Sequence, residues 1–83
     1  MDIKSDAMIY KERIESNPKV MLGKPVIKGT RITVELILKK LSEGATRQEV
    51  IDMYPHLKEE DINAVLEYAS EVIKNEDVID LSE

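Results

Sequence analysis

Few side chains in this sequence have the chemistry for catalysis. The chain contains one histidine, His56, and no cysteine. His56 stands beside Pro55 in a predicted turn, where a surface or helix-capping role is far more common than general-base catalysis. A nucleophile, a base and an orienting group cannot be assembled around one histidine in a turn. The sequence therefore predicts no catalytic residues and no enzymatic activity.

Two short motifs have the composition of ligand sites. Gly23-Lys24 resembles part of a phosphate-binding loop, but Pro25 follows the lysine and removes a backbone amide that such a loop would use. Glu59 to Asp61 carry enough negative charge for a divalent cation. Acids at the start of a helix mainly favour the helix dipole and stay solvated, which is our interpretation of these three. We predict no nucleotide site, no metal site and no cofactor.

Charge is distributed unevenly along the chain. The net charge is −5. Residues 1–31 carry seven Lys or Arg against four Asp or Glu, a net charge of +3, and residues 32–83 carry five against thirteen, a net charge of −8. An anionic partner should therefore meet the N-terminal third, and a basic partner should meet the remainder.

These considerations select two sets of candidate binding residues. The predicted nucleic-acid contacts are Lys24, Lys28, Thr30, Arg31 and Arg47, since Lys and Arg supply most contacts to the phosphate backbone. The predicted contacts to a protein partner are Glu67, Glu71, Val78, Ile79 and Leu81. An alternative for the first set leaves Lys24 and Lys28 solvated and pairs Arg31 with a carboxylate or with carbonyls at a helix C-terminus.

The N-terminal third must position the basic residues. Up to Asn17 the pattern fits a helix or a strand equally well, and Asn17-Pro18 indicates a turn. Val26-Ile27 and Arg31-Ile32 are predicted as the arms of a tight hairpin, with Gly29 at the positive-φ position of a type II turn. A two-stranded ribbon is only marginally stable alone, so it must pack on the helices or pair with a second copy.

The rest of the chain predicts three helices. Thr33 caps the first, whose buried stripe is Val34, Ile37, Leu38 and Leu41. Gly44 suits its C-terminal cap, and Thr46 with Glu49 forms a capping box that opens a short second helix. Pro55 ends that helix. The third runs from near Lys58 to about Lys74 and is predicted to bury Ile62, Val65, Leu66, Ala69, Val72 and Ile73.

The predicted fold is mostly α. A single domain over residues 1–83 comprises an extended or β-hairpin arm (1–33), a tri-helical bundle of helix-turn-helix-like outline (34–74) and an acidic tail (75–83). No segment approaches the roughly 18 consecutive apolar residues of a membrane span, and the N-terminus lacks a signal-peptide pattern. The expected location is the cytoplasm.

A resemblance adds to this interpretation. The run Gly23-Lys24-Pro25-Val26-Ile27-Lys28-Gly29-Thr30-Arg31-Ile32 resembles the signature G-[KR]-P-x-[IV]-x-G-T-R-[IL] of the prokaryotic DUF433 family, a domain of unknown function. The similarity extends from about Ile14 to Ile73 through Leu41, Gly44, Thr46, Glu49, Tyr54-Pro55, Leu57, Glu60-Asp61-Ile62 and Leu66-Glu67-Tyr68-Ala69. One position departs from the pattern: Lys58 stands where family members usually have a Ser or Thr helix cap.

This resemblance implies a homeodomain-like or winged-helix-like fold that is usually dimeric. It also implies similarity to VapB-type antitoxins, which are often encoded beside a PIN-like nuclease, and no catalytic activity. The expected function is thus an antitoxin-like binding protein that contacts a nuclease toxin and operator DNA as a homodimer. A stand-alone helix-turn-helix-like DNA-binding regulator and a homodimeric scaffold are the alternatives.

Overall fold

A computed structural model describes residues 12–75, and helices account for most of this segment. Within it lie three helices, α1 (Val34–Ser42), α2 (Arg47–Met53) and α3 (Glu59–Lys74). Two short strands, β1 (Ile14–Glu15) and β2 (Val26–Ile27), form an antiparallel sheet ahead of them. A single 3₁₀ turn, Met21–Gly23, lies between the strands. The predicted fold class, a short β arm followed by three helices, is confirmed.

The small sheet differs from the predicted hairpin in its pairing. β2 pairs with β1, which places Ile14 opposite Ile27. On the other edge of β2, Val26 forms a bridge with Thr33, and the Ile27 amide donates to the Ile32 carbonyl over 2.9 Å. The second predicted arm therefore bonds to β2 without forming a strand. The segment before Asn17, which fits either state by pattern, is extended at β1 because it supplies the other partner of β2.

The predicted turn at Gly29 is confirmed. The Thr30 amide donates to the Ile27 carbonyl over 2.9 Å, and Gly29 has a φ of 81°. The Thr30 hydroxyl donates to the same carbonyl over 2.8 Å and accepts from the Ile32 amide over 2.9 Å. These bonds hold the turn in one conformation and fix the direction of the residues on either side.

Local capping signals set the helix boundaries. Thr33 Oγ1 accepts from the Leu36 amide over 3.0 Å at the start of α1. Thr46 and Glu49 form the predicted capping box of α2, with bonds of 3.0 and 2.8 Å. Lys58 occupies the N-cap position of α3, but its side chain has no acceptor. The Asp61 carboxylate forms one of the two hydrogen bonds of a capping box by accepting from the Lys58 amide over 3.0 Å.

The core lies where the sheet meets the three helices. Its buried apolar residues are Ile14, Val26, Ile27, Val34, Ile37, Val50, Leu57, Ile62, Ala64 and Val65. Three residues of α3 that were predicted to be buried are not: Leu66, Val72 and Ile73 are 41%, 43% and 62% exposed. At 1.5 Å per residue α3 is about 24 Å long and α1 only about 14 Å, so α1 cannot cover the whole length of α3.

None of the helices within residues 12–75 is long and apolar enough to cross a bilayer.

Candidate functional site

Two of the predicted nucleic-acid contacts flank the Gly29 turn. Lys28 and Arg31 are exposed, and neither has an ion-pair partner within residues 12–75. The Lys28 amide donates to the Arg13 carbonyl over 2.7 Å, which ties the turn to the chain that precedes β1. Lys24 Nζ lies 3.0 Å from Glu35 Oε1, but its side chain is 54% exposed and stays solvated. Of the alternative that left Lys24 and Lys28 solvated and paired Arg31, the carboxylate partner for Arg31 is not found within residues 12–75.

The loop between α2 and α3 lies against this turn. Lys28, Thr30 and His56 line two adjoining clefts of about 380 and 750 Å³. Lys58 lines the first cleft and Arg31 lines the second. We call this surface the basic cleft and define it by Lys28, Thr30, Arg31, His56 and Lys58. Sequence reasoning missed the contribution of the loop, because His56 and Lys58 are more than 20 residues from the turn and no local motif connects them.

An ion pair with a buried carboxylate and a half-buried guanidinium fixes the loop beside the turn. Asp61, in the first turn of α3, is 5% exposed. Its Oδ1 accepts from Arg13 Nη1 over 2.9 Å, and its Oδ2 accepts from the Lys58 amide. The prediction that Glu59, Glu60 and Asp61 are all solvated is therefore wrong for Asp61. A carboxylate is stable at this depth because a guanidinium and a backbone amide replace its water.

Two other predicted contacts lie apart from the basic cleft. Arg47 begins α2, and its guanidinium binds Glu59 at 3.2 Å and the side chain of Asn63. Lys24 is engaged by Glu35. Neither Arg47 nor Lys24 lines the basic cleft. Of the five predicted contacts, the structure brings together Lys28, Thr30 and Arg31.

The cleft is not uniformly positive. Glu12 lines its first part and Glu15 its second. Glu15 Oε2 accepts a long bond of 3.4 Å from the Gly29 amide. Within the described part of the chain, no group of three or more His, Asp or Glu side chains is arranged to hold a metal ion. The exposed cations of the cleft are suited to contacting an anion through charge and hydrogen bonds.

A second candidate surface is the C-terminal half of α3, Leu66–Lys74. Its two predicted partner contacts, Glu67 and Glu71, are half-buried. The exposed apolar residue Leu66 precedes Glu67, and the exposed apolar residues Val72 and Ile73 follow Glu71. A groove of about 260 Å³ runs beside them between α1 and α3, lined by Val34, Leu38, Tyr68, Ala69, Val72 and Ile73. The remaining predicted contacts, Val78, Ile79 and Leu81, lie outside the described residues.

The two surfaces lie at opposite ends of α3. Lys58 precedes the first residue of this helix, and Val72 lies near its last. Their separation along the axis is about 21 Å at 1.5 Å per residue.

Comparison with known proteins places this architecture in one family. The family model described as "Protein of unknown function (DUF433)" matches residues 14–69. A crystal structure of a DUF433 member protein from Anabaena variabilis ATCC 29413 is similar, with a TM-score of 0.71 and 26% sequence identity. The match covers 89% of this chain and 79% of that one. None of the curated proteins matches the sequence significantly.

Proposed function

This chain belongs to the DUF433 family, whose function is unknown, and from its two surfaces we propose that it is a non-catalytic, antitoxin-like binding protein of a toxin–antitoxin module. The observation that carries the proposal is the exposure of Leu66, Val72 and Ile73 on the C-terminal half of α3. Large apolar side chains that cluster at an otherwise polar surface are typical of protein-binding sites. In this proposal the protein acts as a homodimer and binds a nuclease toxin of the PIN-like class.

The charge of this surface supports a basic partner. Residues 66–74 contain Glu67 and Glu71 and one cation, Lys74, and they lie in the part of the chain that carries a net charge of −8. A carboxylate-flanked apolar surface gains association rate and register from a partner of opposite charge. Nucleases bind polyanions, so their substrate clefts have the complementary positive charge.

Binding to a nuclease encoded beside this protein tests the proposal. The wild type and two variants, Ile73→Asp and Met53→Asp, are titrated against the purified nuclease by calorimetry at moderate salt. Both positions are exposed and apolar, but Met53 lies on α2, away from the proposed surface. Ile73→Asp should weaken binding at least about tenfold, the loss expected for a buried side chain of this size, while Met53→Asp should not. The absence of a wild-type complex at micromolar concentration would refute the proposal.

One observation favours a second candidate, a DNA-binding regulator. Lys28 and Arg31 are exposed without ion-pair partners in the described segment, and Lys58 shares their cleft. In that case the affinity for promoter DNA falls as the salt concentration rises. The double variant Lys28→Gln with Arg31→Gln should lower the slope of log affinity against log salt concentration by about 2, because each lost phosphate contact contributes close to 0.9. Lys24→Gln is the matched control, because Glu35 already engages that lysine. Unchanged slopes in the double variant would exclude this role for the cleft.

A further inference from the structure

The turn between the two strands has an unusual backbone. Met21, Leu22 and Gly23 have φ values of 50°, 59° and 86°, so three consecutive residues adopt the left-handed conformation. Met21 and Leu22 are the two non-glycine residues with positive φ among residues 12–75. This conformation brings Cβ close to the following carbonyl oxygen and is unfavourable for L-residues other than Gly, Asn and Asp. Glycine at position 23 avoids the cost, but its two predecessors do not.

The same turn exposes a large apolar side chain. Leu22 is 92% exposed, more than any other large apolar residue of the described segment. Backbone hydrogen bonds from Gly23 to the Val20 carbonyl at 3.0 Å and from Lys24 to the Met21 carbonyl at 3.1 Å hold the turn in this form. A solvent-exposed leucine side chain does not stabilise the monomer, and a leucine with positive φ destabilises it. Local strain of this kind typically persists at sites that bind something.

A groove lies beside the turn, on the side of α1 that faces away from α3. Its volume is about 490 Å³, and it is lined by Met21, Arg31, Thr33, Glu35, Leu36 and Lys39. Val34 and Ile37, on the opposite side of α1, are buried in the core. Its lining combines the apolar side chains of Met21 and Leu36 with two cations and one carboxylate.

We propose that this surface binds a second copy of the chain across a two-fold axis, with Leu22 of each copy inserted into the groove of the other. A two-fold interface uses the same patch on both subunits, so it requires a projecting group and its receptor on one surface. The Leu22 turn and the groove satisfy that requirement because Met21 belongs to both.

The charged residues that line the groove also suit a second copy. Arg31 has no ion-pair partner within the described residues, and Glu35 is exposed although Lys24 contacts it. Across a two-fold axis, Arg31 of each copy pairs with Glu35 of the partner subunit, which forms two equivalent contacts. Strand β2 has no free edge for a second copy, because it is already bonded on both sides. This inference rests on the homodimer of the proposed function and assigns its interface; it does not depend on the nuclease.

Sedimentation equilibrium from 1 to 200 μM tests the interface with the wild type, Leu22→Asn and Ile73→Asn. Asparagine tolerates the left-handed conformation, so Leu22→Asn removes the apolar side chain and keeps the turn. We expect a wild-type dimer and a dissociation constant raised at least about a hundredfold in Leu22→Asn. Each dimer loses two buried leucines, and one is worth about tenfold or more. Ile73→Asn, at the exposed end of α3, should leave the dimer intact.

Melting temperatures measured at a concentration where each protein is monomeric check that folding is unaffected. Leu22→Asn should melt at or above the wild-type temperature, because it relieves strain. A dimer that persists in Leu22→Asn overturns the assigned interface and leaves the nuclease proposal standing. Loss of the dimer in Ile73→Asn alone places the interface on α3 instead. A wild-type protein that is monomeric at 200 μM overturns the homodimer itself.

Discussion

The ion pair between Arg13 and Asp61 makes a sharp test of how the basic cleft is held together. Asp61→Asn removes the charge and keeps nearly the same shape. The carboxylate accepts two bonds, from Arg13 Nη1 at 2.9 Å and from the Lys58 amide at 3.0 Å. An asparagine can accept through its one oxygen only, so its amide group must face one of these two donors.

The expected loss follows from these contacts. A hydrogen bond to a charged group contributes about 1.5–3 kcal/mol, and breaking a fully buried ion pair costs about 3–5 kcal/mol. The Asp61 side chain is 6% exposed, but that of Arg13 is 34% exposed and can recover water. We therefore expect Asp61→Asn to lower the free energy of unfolding by about 2–3 kcal/mol. For a domain of this size that corresponds to a fall in melting temperature of roughly 10–20 °C.

Urea unfolding followed by circular dichroism measures the effect. Glu59→Gln is the matched control, because Glu59 lies two residues before Asp61 in α3 and also forms an ion pair, with Arg47 of α2, but 56% of its side chain is exposed. An exposed pair of this kind is worth less than about 1 kcal/mol. A double-mutant cycle with Arg13→Met should give a coupling energy of about 1–3 kcal/mol. If Asp61→Asn and Glu59→Gln differ by less than about 0.5 kcal/mol, the pair does not support the cleft and the reasoning is wrong.

Three further substitutions test the turn, the caps and the core. Gly29→Ala should cost about 1–2 kcal/mol from backbone conformation alone, since φ is 81° and a Cβ there would meet no atom within 4 Å; an unchanged melting temperature would contradict this. Thr46→Ala should lower the free energy of unfolding by about 1 kcal/mol through loss of the capping box, as read from urea midpoints, whereas the N-cap residue of α3, Lys58, makes no side-chain capping bond that a substitution could remove. Ile62→Ala, at a fully buried position, should lower the free energy of unfolding by about 2–5 kcal/mol, as read from urea midpoints. Ile73→Ala, at an exposed position, should lower it by under about 1 kcal/mol. Equal losses would mean that the end of α3 is covered.

The helices could be predicted because their signals are local. Thr33, Thr46 and Glu49 lie within one turn of the amides they cap, so their spacing is visible in the sequence. Gly29 is recognised for the same reason, because few residues other than glycine readily adopt its φ. The start of α3 at Glu59 is also recovered, although Lys58 cannot supply the side-chain cap.

The parts that sequence reasoning missed depend on contacts between distant residues. β1 is two residues long and is specified by β2, twelve residues on. Asp61 cannot be told apart from Glu59 and Glu60 in the sequence, because all three are acids in the first turn of one helix. Its burial depends on Arg13, which lies 48 positions away. Periodicity identified Val72 and Ile73 as apolar but could not show that they stay 43% and 62% exposed beside the shorter α1.

The left-handed turn illustrates a different limit. Gly23 indicates a turn, but the residue types at positions 21 and 22 do not predict positive φ, because methionine and leucine both prefer other conformations. The surrounding fold imposes this geometry. The candidate sites therefore share one property: no local sequence pattern marks their residues, and contacts with distant parts of the chain define the sites.

The sequence distance bridged by Arg13 and Asp61 also has a kinetic consequence. Helices α1 and α2 are joined by a few residues and can dock early, whereas this pair closes a loop of 48 residues, and that closure costs entropy before it yields any stability. The pair should thus form after the rate-limiting step of folding. Its main effect is then on how long the native state survives between openings, because interactions that form late slow unfolding and leave the folding rate nearly unchanged.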